Sequence, residues 1–414
     1  MNATILCVGT ELLFGQIVNT NAAYLSEKLQ MMGINVLYHY TVGDNPDRMR
    51  STLRRAFEDT DLVITSGGLG PTQDDLTKEI ITEILGDELV LDEKQLKELE
   101  EMFSKWNRPM TENNRKQAYV PSRATVFYNS AGTAPGFALK SEGHIAIALP
   151  GPPRELKHLF ETWAIPYLEK LTDAVISHKL LRFYGIGESQ LETDLLPLID
   201  GQTDPTIATY AKEGECSLRI ASRRATKAEA DRAVDEMEDR VKAIAGKFLY
   251  SDEDEDLHSV AAHKLLASGL TLASAESCTG GLFAGQIIDI PGISAAFDRG
   301  FVTYSNASKT ALLGVPAELI ETHGAVNEEV AVAMAKGARN KAGTDIGIAV
   351  TGVAGPDGGT EEKPVGLAWI ACAYGEDEIR ISRHFFRDRG RNWNRRSFVL
   401  DMFSVLNKVL DSIK

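Results

Sequence analysis

Two residues able to attack a carbonyl, Ser277 and Cys278, lie side by side in AESCTGG, residues 275–281, with a threonine and two glycines directly behind them. Residues 270–275 read as a short buried strand, and 282–288 continue as an apolar helical segment. At such a junction the first backbone amides and the positive end of the helix dipole face whatever lies before the turn, which suits an oxyanion or a phosphate. Thr279, Gly280 and Gly281 are the candidate donors. A tight turn between strand and helix asks for the same small residues, so this run alone leaves both readings open. Further on, YSNASK carries Tyr304 and Lys309, and GVAGPDGG, residues 352–359, offers Gly352 and Gly355 in a second glycine loop after a strand. RGRNWNRRS places Arg391 and Arg395 at helical spacing, where either can clamp a phosphate. A packed tyrosine, an exposed lysine, a multi-turn connection and a basic solvated helix face are the plainer readings of the same residues.

A second chemistry-bearing stretch is SGGLGPTQDDLT, residues 66–77, which joins Gly67, Gly68 and Gly70 to Thr72 and the acid pair Asp74 and Asp75. Glycines let backbone amides approach an anion closely, and adjacent carboxylates suit a hard cation held through oxygen. A phosphate–metal cradle is one reading; an N-capped helix with acids at its positive end is the other. Glu11, Asp44 and Asn45 follow the first two expected strands and so face the same crevice. Lys116 in NNRKQAYVP is able to neutralise a phosphate, and NSAGTAPGF adds Asn129, Gly132 and Thr133 as loop residues for a ligand.

The elements that must position these residues follow from hydrophobic spacing. Strands at 4–8, 34–38 and 62–65 alternate with helices whose stripes are Leu25, Leu29, Met32 and then Met49, Leu53, Phe57. That alternation predicts an α/β domain, a parallel sheet with helices on both faces, whose ligands gather beyond the carboxyl ends of the strands. GTELL reads as a loop and 92–105 as a peripheral charged helix. From 172 the texture changes to a small βαβα-like piece, then SDEDED, 251–256, reads as a solvated acidic linker. Residues 257–414 repeat an α/β pattern with a core of their own.

At 414 residues the chain exceeds one ordinary core, so two or three domains are expected. With 43% hydrophobic and 25% charged residues it has a globular composition, and its net charge of −15 disfavours nonspecific binding to nucleic acid or an anionic membrane. Four scattered cysteines, without a CxxC pair, argue against a disulfide framework or structural zinc and fit a reducing cytoplasm. No run approaches the roughly 20 apolar residues of a membrane span, and residues 1–13 lack the pattern of a signal peptide.

GTELLFGQIVNTN, SGGLGPTQDDLT, NSAGTAPGF and LPGPPRE, in this order, resemble the amino-terminal domain of the competence/damage-inducible protein CinA family, which is related to molybdopterin-binding domains. The middle segment resembles that family's KH-type domain, although GIGES lacks the last glycine of a GXXG loop; AESCTGG, YSNASK and GVAGPDGG resemble its nicotinamide-nucleotide amidase domain. Ser66, Asn327 and Asp357 depart from residues common in the family. The resemblance implies a molybdopterin-binding-like domain at 1–171, a KH-like domain at 172–250, the linker at 251–256 and the amidase domain at 257–414. It implies a bifunctional enzyme. Ser277, activated by Tyr304 and Lys309, would hydrolyse nicotinamide mononucleotide to nicotinate mononucleotide and ammonia. The amino-terminal domain would split ADP-ribose into AMP and ribose 5-phosphate, using Asp75 and a divalent metal such as Mg on Asp44, Asp74, Asp75 and Glu11. A homodimer is expected, and the amidase needs no cofactor. A nucleotide-binding scaffold linked to competence or DNA damage, with inactive sites, is the alternative, and molybdopterin handling rests on the shared fold alone.

Overall fold

The computed structural model describes residues 1–171, 175–385 and 387–413. The expected start of the middle domain at 172 and the last residue, 414, lie outside them. By contacts, residues 1–177 with 223–231 form one compact unit, and 178–222 with 232–414 form the other.

In the first unit, β1 (Asn2–Val8), β2 (Asn35–Val42), β3 (Leu62–Ser66) and, later in the chain, β8 (His144–Leu149) run parallel in the order β2-β1-β3-β8. The short strands β4 (Leu89–Leu91) and β5 (Tyr119–Pro121) pair apart from this sheet. β6 (Thr125–Phe127) and β7 (Gly136–Ser141) extend it past β8 as antiparallel strands, so the sheet is mixed where alternation alone predicts a parallel one. The chain there turns back through hairpins, and a hairpin forces antiparallel pairing. Alternate residues of β1 feed two cores: Ile5 and Cys7 meet Leu25 and Leu29 on one face, while Leu6 and Val8 meet Met49, Leu53 and Phe57 on the other. Asn19 and Asn45 cap the two helices concerned, Thr20–Met31 and Pro46–Asp59, each accepting a backbone N–H with its side chain. The GTELL segment is a single helical turn, Thr10–Leu13, rather than a loop.

The middle segment forms a second sheet from β9 (Val175–Tyr184), β10 (Thr206–Lys212), β11 (Glu215–Arg224) and β12 (Leu249–Ser251), in the order β10-β11-β9-β12, with helices Glu188–Ile199 and Lys227–Ala245. Three of the acids after β12 are ion-paired while still partly open to solvent, where a solvated linker alone was expected. Asp252 meets Lys242 at 2.8 Å, Asp256 meets Lys212 at 2.6 Å and Arg182 at 3.0 Å, and Asp254 also binds Arg182. Their partners are brought from far along the chain by the sheet and the long helix.

The carboxy-terminal sheet contains β13 (Leu272–Glu276), β14 (Phe297–Val302), β15 (Ile346–Gly352), β16 (Leu367–Tyr374) and β17 (Glu378–Phe385), in the order β14-β13-β15-β16-β17. The first three are parallel and the last two antiparallel. One face carries Phe283, Phe398, Met402 and Phe403, the other Val330, Met334 and Ala335. No helix among the described residues is long and apolar enough to cross a membrane.

Candidate functional site

Ser277 follows directly on β13, at the carboxyl end of the central parallel strands. Its amide donates to Val350 O of β15 at 3.2 Å, and the carbonyl of Glu276 accepts from Thr303 N at 2.8 Å, so the strand end is tethered on both sides. The chain leaves β14 through Thr303 and Tyr304, is capped by the Ser305 side chain, and enters the helix Asn306–Leu313. One turn in, Lys309 points back at the strand ends. Its Nζ lies 3.0 Å from Ser277 Oγ, 2.8 Å from Thr303 O and 3.4 Å from Tyr304 O. Lys309 is 1% exposed and Ser277 8%. Burial holds the Lys309 amine below its ordinary pKa, because the charged form loses hydration; the neighbouring Cys278 acts the other way. In the neutral amine, two N–H bonds to the carbonyls leave the lone pair to accept from the Ser277 hydroxyl; in the charged form all three oxygens accept from it. Cys278 is buried, and desolvation pushes its thiol up to about 12, which removes the thiolate a cysteine nucleophile requires.

The turn behind Ser277 is made by Gly280 and Gly281 at φ +65° and +94°, a backbone region unfavourable to side chains. Its donors are divided differently from the expectation. Glu276 Oε2 accepts from Gly281 N at 3.0 Å and from Thr279 Oγ1 at 2.7 Å, and the amides of Phe283 and Ala284 also reach this carboxylate. Gly281 is therefore not an open donor. The amides of Thr279 and Gly280 have no acceptor among the described residues.

The rim is braced by two arginines. Arg391 donates to Gly355 O at 2.6 Å and to the Tyr304 hydroxyl at 3.2 Å, and Arg395 donates to Thr279 O at 2.7 Å, so the three loops are tied together while each guanidinium keeps N–H donors for an anion. Asn394, fully buried between them, bonds Ala354 O and Asp388. Gly352 lacks a side chain for a packing reason: a Cβ there would meet Ala368 Cβ and Leu367 O at 2.7 Å. Asn327 caps the helix Glu328–Ala342 with its own side chain, and Asp357 is exposed.

In the first unit a cavity of about 380 Å³ opens beyond the carboxyl ends of β1, β3 and β8, lined by Glu11, Asp44, Gly67, Gly68, Gly70, Asp74, Asp75 and Thr133 together with Glu155. Gly67 is at φ +102°, and a Cβ there would stand 2.3 Å from Val8 O; at Gly70 it would meet the Asp75 carboxylate at 2.4 Å. Asp44 accepts from Thr10 Oγ1 at 2.7 Å. Thr72 bonds both acids of the pair, its amide reaching Asp75 at 3.0 Å, and its hydroxyl holds the exposed Asp74 below the ordinary carboxylate range. Lys116 braces this loop: Nζ bonds the carbonyls of Thr72, at 3.1 Å, and Asp75, and pairs with Glu79 at 3.4 Å. Asn129 donates to Glu155 at 2.7 Å, and Gly132 leaves room for that carboxylate. No three of His, Cys, Asp and Glu converge as a protein-only cage among the described residues. The donor set nevertheless fits a hard divalent cation, since Mg²⁺ is commonly bound by one or two carboxylates with substrate phosphates and water. Five carboxylates, Glu11, Asp44, Asp74, Asp75 and Glu155, line this one cavity, a concentration of negative charge that a cation would offset.

Comparison with known proteins finds three family models along the chain. Residues 4–170 match "Probable molybdopterin binding domain", 178–251 match "Damage-inducible protein CinA KH domain", and 254–410 match "CinA C-terminal domain". A protein of Acetivibrio thermocellus described as "Putative competence-damage inducible protein" is 48% identical over 418 aligned positions, covering 100% of both chains. The chain belongs to the CinA family. A protein of the same description from Clostridium botulinum strain Loch Maree is 50% identical over 370 positions, 89% of this chain and 90% of its own. Among solved structures, competence/damage inducible protein CihA from Agrobacterium tumefaciens is 38% identical over 38% of this chain and 97% of its own, with a TM-score of 0.36.

Of the two residues that the CinA resemblance assigns to serine activation, Lys309 touches Ser277. Tyr304 meets Lys309 through its main-chain carbonyl alone; the residue is 65% exposed and its hydroxyl bonds Arg391. Three residues of the CinA sites escaped sequence reasoning. Glu276 and Glu155 were in quoted motifs, and an acid closing an apolar strand was a usable signal for the first. Asn394 had none, since nothing local marks an asparagine as buried.

Proposed function

We propose that the chain hydrolyses the carboxamide of nicotinamide mononucleotide in its carboxy-terminal unit and the diphosphate of ADP-ribose in its amino-terminal unit. The observation that carries the reading is the buried Lys309 amine on Ser277 Oγ at 3.0 Å. A carboxamide is a poor electrophile and requires an activated nucleophile, an oxyanion site and a proton donor for ammonia. Ser277 Oγ attacks the carboxamide carbon as its proton passes to Lys309 Nζ. The amides of Thr279 and Gly280 take the oxyanion. Collapse expels ammonia with the proton returned by Lys309, leaving an ester on Ser277. Water, deprotonated by Lys309, cleaves that ester to nicotinate mononucleotide and restores the serine. Arg391 and Arg395 offer their remaining N–H donors to the 5′-phosphate.

In the amino-terminal cavity Asp44, Asp74, Asp75 and Glu11 would hold a divalent cation, which when bound offsets charge on the diphosphate oxygens. The chain's own part is to present the acid pair, kept in place by Thr72 and the Lys116 brace, beside the close-approach backbone of Gly67 and Gly70. The test is purified protein on both substrates. Ser277→Ala is expected to abolish ammonia release and to spare ADP-ribose cleavage, and Asp75→Ala to do the reverse. Loss of both activities in either variant would sink the two-site reading, and tight nucleotide binding without turnover in the parent would favour a scaffold.

A further inference from the structure

The serine turn contains a buried carboxylate that none of these steps uses. Glu276 is 1% exposed. Oε2 accepts from Thr279 Oγ1 at 2.7 Å, Gly281 N at 3.0 Å and Phe283 N at 3.1 Å, and Oε1 accepts from Ala284 N at 2.9 Å. These donors are neutral, and all come from the segment that follows the serine. A buried carboxylate is tolerated only while such bonds are made, so the turn has one arrangement that satisfies it and resists others. The same residue is anchored at its backbone, since Glu276 O holds Thr303 N at 2.8 Å and the next amide, Ser277 N, holds Val350 O at 3.2 Å. Thr303 in turn presents the carbonyl that accepts from Lys309 Nζ at 2.8 Å. Through its carboxylate this residue holds the nucleophile's turn, and through its backbone carbonyl the segment that supports the amine.

We propose that Glu276 is a positioning residue of the serine site: it draws the front amides of the helix Leu282–Ile287 inward, holding Ser277 Oγ on Lys309 and leaving the Thr279 and Gly280 amides for the oxyanion. Because the front of that helix is occupied by the protein's own carboxylate, the substrate phosphate is left to Arg391 and Arg395. This inference rests on the serine-amidase reading.

The experiment uses the full chain and the variants Glu276→Ala, Glu276→Gln, Thr279→Val and Ser277→Ala, read in two ways beside the thermal midpoint. One is kcat and KM for ammonia release. The other is the rate at which an alkyl fluorophosphonate labels Ser277, in which the Oγ–P bond forms, the P–F bond breaks and fluoride leaves. Misplacement by about 1 Å costs roughly a hundredfold, so Glu276→Ala is expected to lower both kcat and labelling by about that factor while KM moves less than about threefold. Glu276→Gln keeps the shape and one accepting oxygen and is expected to recover part of the rate; Thr279→Val, which removes one donor, falls between parent and Glu276→Ala. If Glu276→Ala does not fold, Glu276→Gln and Thr279→Val decide by the same readouts. A parent that labels at Ser277 with variants that label equally fast overturns the positioning role alone. A parent that neither labels nor releases ammonia overturns the amidase reading and this inference with it.

Discussion

Replacing Lys309 by methionine separates catalysis from folding, because the two effects differ in size. Methionine follows the aliphatic part of the lysine through the same buried channel and ends without an amine. Ser277 Oγ, now 3.0 Å from Nζ, loses its proton acceptor. Removal of a positioned general base lowers rate by about 10²–10⁴, or about 3–5 kcal/mol of barrier. For stability the terms oppose one another. The Thr303 carbonyl, bonded at 2.8 Å, is left without its donor at a cost of about 1–3 kcal/mol, while the desolvation of a buried amine is relieved. The folded protein is therefore expected at near-parent yield with ammonia release reduced at least about a hundredfold. The pH dependence gives an independent readout. Burial keeps Lys309 more readily deprotonated in the folded chain than in the unfolded one. Between its folded and unfolded pKa values the unfolded chain binds the extra proton, so parent stability rises with pH across that window and levels off above the unfolded value. Below the folded pKa the amine is charged and kcat/KM falls. Both pH effects are expected to vanish in Lys309→Met. A variant that retains more than a tenth of parent kcat/KM, or shows the parent's acidic limb unchanged, would falsify the assignment of Lys309 as base.

Two further substitutions test readings of neighbouring residues. Cys278→Ala is expected to leave deamidation within about twofold of the parent and to make no difference to inhibition by thiol reagents, because the native thiol is buried and pushed up to about 12; loss of activity comparable to Ser277→Ala would reinstate the cysteine. Gly352→Ala places a methyl 2.7 Å from Ala368 Cβ and Leu367 O, so it is expected to lower stability by about 1–3 kcal/mol, measured by denaturant unfolding of the intact chain. A raised KM with unchanged stability would show instead that the glycine serves ligand approach.

What was legible in the sequence follows the distance over which each pattern is written. The stripes Leu25, Leu29 and Met49, Leu53, Phe57 state which helix face is buried, and they found their faces. The acid pair Asp74 and Asp75 was readable as a loop site because Thr72, its donor, is two and three positions away. Gly67 and Gly352 were readable as special glycines, but their packing constraint was not, since Val8 and Ala368, which exclude a side chain there, arrive through sheet pairing from elsewhere in the chain. The acids after β12 read as solvated for the same cause: Arg182 and Lys212 lie 74 and 44 positions from Asp256. Ser277 and Lys309 are 32 positions apart, and only the resemblance joined them before the register of β13 and β14 did. Tyr304 shows what even a matching motif withholds, because residue type does not say whether ring or carbonyl meets the amine. Glu276 is the instructive miss. Its donors lie only three to eight positions ahead, so the information was local. An acid closing an apolar strand, followed by a hydroxyl and two glycines that curl the chain back before a short helix, has its own helix front as the nearest compensation for burial. The glycines then serve the carboxylate first, and the amides it leaves open are the ones that the proposed amidase reaction would give to an oxyanion.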